Sequence, residues 1–480
     1  MLPEKLSQQK VFYYFERLSA IPHGSGNMGD IAQFCENFAK EHSLKYIKDA
    51  ANNVIIFKNS TVGYENYAPV ILQGHLDMVC QKMADCNIDF QKDGLDLYVD
   101  GDFLKARGTT LGADNAIAVA MVLAILESDN ISHPPIEAVF TTDEEIGMIG
   151  ARALDMSVLK AKRMINLDSE TEGTVTVSCA GGSDFEAKLP LKKVSAQGAK
   201  VSLKITGLIG GHSGVEINKN RENANLITAR IISSIKPYTD FGIISINGGD
   251  KANAIPNCST VDFCVKEPNV FCENAKNVID IIKQEICDRE PDFDAILTTH
   301  ANSSYDVFEK DVEQKLLQVL LCAPNGVTEM SASIKGLVQT SLNLGILETT
   351  ENNIIFHFAL RSNKKSALIF LESKLGALFD ALNIPYETFG HYPPWEYKAD
   401  SLLRDLYCEV YSKTTGNQPT VIAIHAGLEC GVFADGIKDF DCISIGPNLY
   451  EIHTTRERLS ISSTQNFYSI LLEVLEKLNP

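Results

Sequence analysis

Pro69-Val-Ile-Leu-Gln-Gly-His75-Leu-Asp77-Met-Val79 is an apolar, strand-forming run that stops abruptly at two residues able to bind or polarise a metal ion. Outward from it, between Asn53 and Val177, short β-rich runs such as Val54-Ile-Ile-Phe57 and Ala138-Val-Phe140 alternate with helical patterns such as Ala116 to Glu127. Such alternation predicts an α/β domain: a mixed, mostly parallel sheet with helices on both faces. In such sheets ligands collect at the C-terminal ends of the strands. His75, Glu144 and Asp168 all fall at such ends.

At 480 residues the chain exceeds what one hydrophobic core usually supports, so two domains are expected. The pattern changes near Ala180-Gly-Gly-Ser183. From there amphipathic strands at 200–206, 242–247, 260–266 and 354–360 interleave with helices near 221–235, 272–289, 312–322 and 366–382, which predicts an α+β domain. After Pro393-Pro394 the first pattern returns, with Trp395 packed at the return. The expected organisation is a catalytic domain formed by residues 1–183 and 395–480, with residues 184–394 inserted as a lid.

The strand-end residues define a chemistry. His75, Asp114, Glu144, Glu145, Asp168 and His453 supply two imidazoles and several carboxylates, the ligand set of a hydrolytic two-metal site. Such a site needs one carboxylate between the metals, and Asp114 suits it because Gly112-Ala113 permits a tight turn into the cleft. Of the adjacent Glu144 and Glu145, one serves as ligand and the other as base. Asp77 would orient His75 through the imidazole's far nitrogen. Against this stands a plainer reading of each piece: Glu144-Glu145 as first-turn helix acids, Asp168 as a turn residue.

A net charge of -19 and a pI near 5.0 argue against nucleic acid or anionic membrane as partners. No apolar run reaches the length of a membrane span, and the N-terminus lacks a basic segment followed by an apolar one. The 12 cysteines are scattered without a C-x-x-C pair, which reads as reduced thiols in a cytoplasmic protein acting on small solutes.

Taken together, the pieces Gly74-His75-Leu-Asp77, Gly112-Ala-Asp114-Asn115, Thr142-Asp-Glu144-Glu145-Ile-Gly147, Asn166-Leu-Asp168-Ser-Glu170, Gly210-Gly-His212-Ser-Gly214 and the late His453 resemble, in order, the co-catalytic zinc peptidases that include aminoacylases, carnosinases and glutamate carboxypeptidases. The longer runs 208–217, 221–225 and 424–431 resemble the aminoacyl-histidine dipeptidase branch. The resemblance implies His75 and Asp168 on one metal, Glu145 and His453 on the other, Asp114 bridging, Glu144 as general base and Asp77 orienting His75. It implies His212 as oxyanion donor, and Asn253 and Arg361 as anchors of the substrate's terminal carboxylate. Two zinc ions are expected, with cobalt and manganese suiting the same ligands. Asp168, rather than Glu, at its position implies substrates with a free amino group. Thr454-Thr455 follows His453 where family members often carry Ser-Pro, which leaves His425 as the alternative last ligand. The expected activity is hydrolysis of unblocked dipeptides, Xaa-His among them; the rivals are an N-acyl amino acid deacylase and a non-catalytic scaffold. The lid suits either a homodimer exchanging residues or a monomer whose lid halves imitate one.

Overall fold

The computed structural model describes residues 2–478. They form two compact units: one takes in the residues through Cys179, Trp395–Ala423 and those from Leu428 on; the other is Ala180–Pro394 with Ile424–Gly427.

The first unit is built on an eight-stranded sheet whose four central strands, Ile136–Thr141, Val70–His75, Arg163–Asn166 and Asp441–Ser444, run parallel in that order. Both Ile136–Thr141 and Val70–His75 are buried at every residue, which is why they read as continuous apolar runs rather than alternating ones. Antiparallel strands flank this centre, Lys45–Lys48 and Val54–Lys58 on one side and Thr174–Cys179 on the other. The helix Ala113–Glu127 is buried from Asn115 to Leu126, an apolar-all-round core helix. Gly74 lets that helix approach: a Cβ there would sit 2.4 Å from Asn115 Oδ1, which accepts the main-chain N–H of His75 at 3.2 Å. A four-stranded sheet (Leu449–Tyr450, Arg458–Ser460, Phe103–Ala106, Leu97–Asp100) carries the segment bearing His453. Trp395 is buried, and exchanges main-chain hydrogen bonds with Cys179 at 3.1 and 3.2 Å.

The second unit is a nine-stranded antiparallel sheet. Its core packs Ala224–Ile235, Pro268–Ile286, Lys310–Cys322 and Lys365–Ala381 against inward residues such as Val201, Phe263, Phe356 and Phe358. Three long strands lie where the sequence reading places none: Gly181–Pro190, Asp294–Phe308 and Val338–Thr349. Ile424–Gly427 belongs to this unit through Ala180 N–H to Ala426 O at 3.0 Å and through His425, bound to Ser341 and Asn363. All 12 cysteines are unpaired, and among the described residues no helix is long and apolar enough to cross a membrane.

Candidate active site

His75 ends the central strand, Asp114 opens the buried helix, and Asp168 follows the next parallel strand. Their side chains converge: His75 Nε2 is 3.1 Å from Asp114 Oδ1 and 3.5 Å from Asp168 Oδ1. From the opposite side His453 Nε2 lies 3.2 Å from Asp114 Oδ2 and 2.8 Å from Glu145 Oε1. Asp114 thus offers one oxygen to each imidazole, the disposition a carboxylate bridging two cations requires. The donors form three groups able to hold an ion: His75, Asp114 and Asp168; Asp114, Glu145 and His453; and His75, Glu144 and Glu145. Nitrogen and carboxylate donors in this arrangement fit a pair of borderline divalent cations. His425, the alternative ligand, has Nε2 on Ser341 Oγ at 2.7 Å and Nδ1 on Asn363 Oδ1 at 3.0 Å, so both ring nitrogens are engaged.

Asp77 meets His75 and has a second task. The nearest partner of His75 Nδ1 is the Asp77 main-chain oxygen at 3.0 Å, with the carboxylate at 3.5 Å. The carboxylate also accepts the main-chain N–H groups of Glu144 and Glu145 at 3.0 and 3.2 Å and the Ser25 hydroxyl at 2.8 Å. It therefore fixes the turn that presents both glutamates. Glu145 spends its carboxylate on His453, whereas Glu144 bonds to no side chain among the described residues. His453 has a φ of 60°, Glu451 of 52° and Asp143 of 53°, left-handed values that cost about 1 kcal/mol or more each and concentrate at functional sites.

Two buried carboxylates have no role in the sequence reading, although Glu429 lies in the run 424–431 singled out there. Glu457 accepts the main-chain N–H groups of Leu111, Gly112 and Ala113 at 2.8 to 3.1 Å, with that of Asp114 at 3.5 Å. It caps the helix that no local side chain caps, and so pins the Asp114 turn from a segment shared with His453. Glu429 accepts Gln73 Nε2 at 2.5 Å and Thr141 Oγ1 at 2.7 Å, while Asn166 Nδ2 donates to Gln73 Oε1 at 2.5 Å. The network ties together three strands just before His75, Glu144 and Asp168.

The charges bear on how such a site is held together. Burial pushes Asp168 up to about 8, Glu429 and Glu457 to about 7 and Glu144 well above the carboxylate range. Hydrogen bonds donated by the imidazolium to Asp114 and Glu145 push His453 up to about 10. For Asp114 burial alone would raise the pKa, but His453 and His75 hold it well below the usual range. The native chain therefore keeps protons on its acids that an unfolded chain releases near pH 4, and on His453 one released near pH 6.5. The stability these groups contribute is full below their unfolded pKa values, about 4 for the acids and about 6.5 for His453, and is lost as pH climbs from there to the raised values of about 7 to 10. Metal-stripped protein should accordingly melt at a lower temperature at pH 8 than at pH 5, and restored divalent metal, replacing those protons with cations, should shrink the difference. Calorimetry at the two pH values with and without chelator checks this; a melting temperature of stripped protein that rises over the window contradicts it.

Residues 71–477 match the model of the peptidase family M20/M25/M40. The chain belongs to that family. It is 36% identical over 478 residues to the cytosol non-specific dipeptidase of Escherichia coli (strain K12), covering 99% of this chain and 98% of the relative. The crystal structure of aminoacylhistidine dipeptidase from Vibrio alginolyticus superimposes with a TM-score of 0.92 at 34% identity, over 99% of this chain and 97% of that one. Human carnosine dipeptidase 1 shares the fold, with a TM-score of 0.51 at 11% identity over 98% and 96% of the two chains. As a member of M20/M25/M40 the protein is a metallopeptidase, and the convergent donors above sit in its first unit.

In the second unit, His212 lies on the two-residue strand Gly211–His212, paired with Ala254–Ile255 beside Asn253. Asn253 and Arg361 line one cavity of about 330 Å3. Burial foremost, and then Arg361, depress the basicity of both His212 and His425, the latter to about 3. Of the histidines without a partner pattern in sequence, His23 and His133 are buried with Nδ1 on main-chain oxygens, and His357 meets Asp184.

Proposed function

We propose that this protein is a two-metal dipeptidase that hydrolyses unblocked dipeptides, Xaa-His among them. The observation that carries the reading is Asp114, whose two oxygens face two imidazoles, each backed by a further carboxylate. Two divalent cations held there would lower the pKa of a shared water toward neutrality and polarise the scissile carbonyl. His75 and Asp168 would hold one, Glu145 and His453 the other, with Asp114 between them. Zinc suits the donors best, and cobalt or manganese would serve.

Glu144 takes the water's proton and returns it to the leaving amine. Asp77 keeps Glu144 in place through the main chain. His212 donates to the carbonyl oxygen as negative charge develops on it. Arg361 and Asn253 anchor the substrate's terminal carboxylate, Arg361 by charge-assisted hydrogen bonds. That anchor favours dipeptides, since a longer peptide places an amide where the site expects a charge. The names of the similar proteins, a cytosol non-specific dipeptidase and an aminoacylhistidine dipeptidase, support this substrate class and a cytosolic place of action.

The test is a panel of Xaa-His and other dipeptides beside their N-acetylated forms, using metal-stripped protein and protein with zinc, cobalt or manganese restored. Metal-dependent cleavage of the free-amine forms alone is the expected result. Cleavage of the acetylated forms would make the protein a deacylase, and none with metal bound would leave a scaffold.

A further inference from the structure

The cavity shared by Asn253 and Arg361 has a second charged end. Across the strand pair Gly181–Pro190 and Asn353–Ser362, Arg361 stands opposite Gly182 and Ala359 opposite Asp184. Opposed residues share a face, so Arg361, Ala359, Gly182 and Asp184 all point away from the core that Phe356, Phe358 and Leu360 enter. Ala359, the small residue that lines the cavity between Arg361 and Asp184, leaves the hollow open. Tyr392 closes one side: a Cβ on Gly182 would lie 2.5 Å from its hydroxyl, which accepts Arg361 Nη1 at 2.7 Å.

The two ends differ in charge. Arg361 is 9% exposed, and its Nε–H has no partner among the described residues, so a donor stands ready for an anion. Asp184, diagonal to Arg361 at roughly 7–8 Å between backbones, accepts His357 Nε2 on Oδ1 at 2.9 Å. Asp184 lines the same cavity, and its Oδ2, beside Gly390, meets no donor among the described residues. A C-terminal lysine or histidine residue bridges such ends, carboxylate to Arg361 and side-chain nitrogen to Asp184.

We propose that Asp184 is a specificity residue, selecting dipeptides whose C-terminal side chain is basic or an imidazole over aliphatic and acidic ones. The proposal rests on the reading of Arg361 and Asn253 as the carboxylate anchor. His357 holds Asp184 in position by donating to the oxygen the substrate does not use.

The experiment measures kcat/KM for Ala-Lys, Ala-His, Ala-Leu and Ala-Glu with the metal-loaded wild type, Asp184→Asn, Asp184→Glu and Arg361→Met. Asp184→Asn should lower the Ala-Lys to Ala-Leu ratio by about threefold or more, through KM, and raise the Ala-Glu to Ala-Leu ratio. Asp184→Glu, which retains the charge, should keep most of the preference, so it preserves the test if Asp184→Asn folds poorly. Unchanged ratios in Asp184→Asn, or equal loss of preference in both Asp184 variants, would overturn the proposal. Arg361→Met should raise KM for all four substrates together. If it leaves them all unaffected, the anchor reading fails, an outcome separate from the Asp184 ratios.

Discussion

Glu144→Gln should lower kcat about a thousandfold or more while both metal ions remain bound. The expectation comes from how the two adjacent glutamates divide their bonds. Glu145 Oε1 is 2.8 Å from His453, so its carboxylate is engaged in a group able to hold an ion. Glu144 is held by its main-chain N–H to Asp77 at 3.0 Å, which leaves its side chain to act. Burial first, with Asp168, Glu429 and Glu145 adding to it, raises its proton affinity well above that of an ordinary carboxylate, as a base receiving a proton from an activated water needs. A glutamine of the same shape keeps the turn and loses the basic carboxylate that takes the proton. The check pairs steady-state hydrolysis of Ala-His with metal content by elemental analysis. Full metal occupancy with turnover within tenfold of the wild type would remove Glu144 from the base role. Glu145→Gln is the contrasting variant, expected to lose metal as well as activity.

Much of the candidate site was legible because His75, Glu144, Glu145 and Asp168 end or follow apolar strands, where the hydrophobic signal is strongest. The parallel strands are buried on both faces, so Val70–His75 declares itself and hands over His75 at its end. Asp294–Phe308 was illegible for the opposite reason. It is a sheet edge, exposed over most of its length, and Thr298, Thr299, Asn302, Ser303 and Ser304 blur any alternation. The roles of Glu457 and Glu429 stayed hidden because their partners are main-chain amides and side chains 288 to 356 residues away, and a glutamate carries no local sign of such a role. Asp77 was legible as a residue of the site but not in its detail. Next-but-one to His75, it suggests a partner for the imidazole, and its carboxylate lies 3.5 Å from Nδ1; what the sequence does not show is that the same carboxylate also accepts the amides of Glu144 and Glu145, brought to it by the turn between strand and helix.

His212→Ala should lower kcat by about a hundredfold to a thousandfold with a much smaller change in KM, the pattern left by losing a donor that acts chiefly in the transition state. Its ring is set up for that task by the main chain. Nδ1 accepts the N–H groups of Gly214 at 3.1 Å and Val215 at 3.2 Å, so in the neutral imidazole the proton must reside on Nε2. Burial foremost, with Arg361 next, lowers the pKa of His212, which keeps it neutral at physiological pH, a donor through Nε2 and nothing else. The backbone is fixed as firmly: His212 N–H donates to Glu216 Oε2 at 2.9 Å, and Glu216 pairs with Arg221 at 2.9 Å. That main-chain bond, first among its partners, holds Glu216 down at about 2, so the clamp stays charged over the working range. His212→Gln supplies a side-chain amide in place of Nε2–H and should recover part of the loss, which a purely structural role would not permit. Equal kcat for wild type and His212→Ala on Ala-His would remove the residue from the reaction. A loss confined to KM would make it a substrate anchor instead.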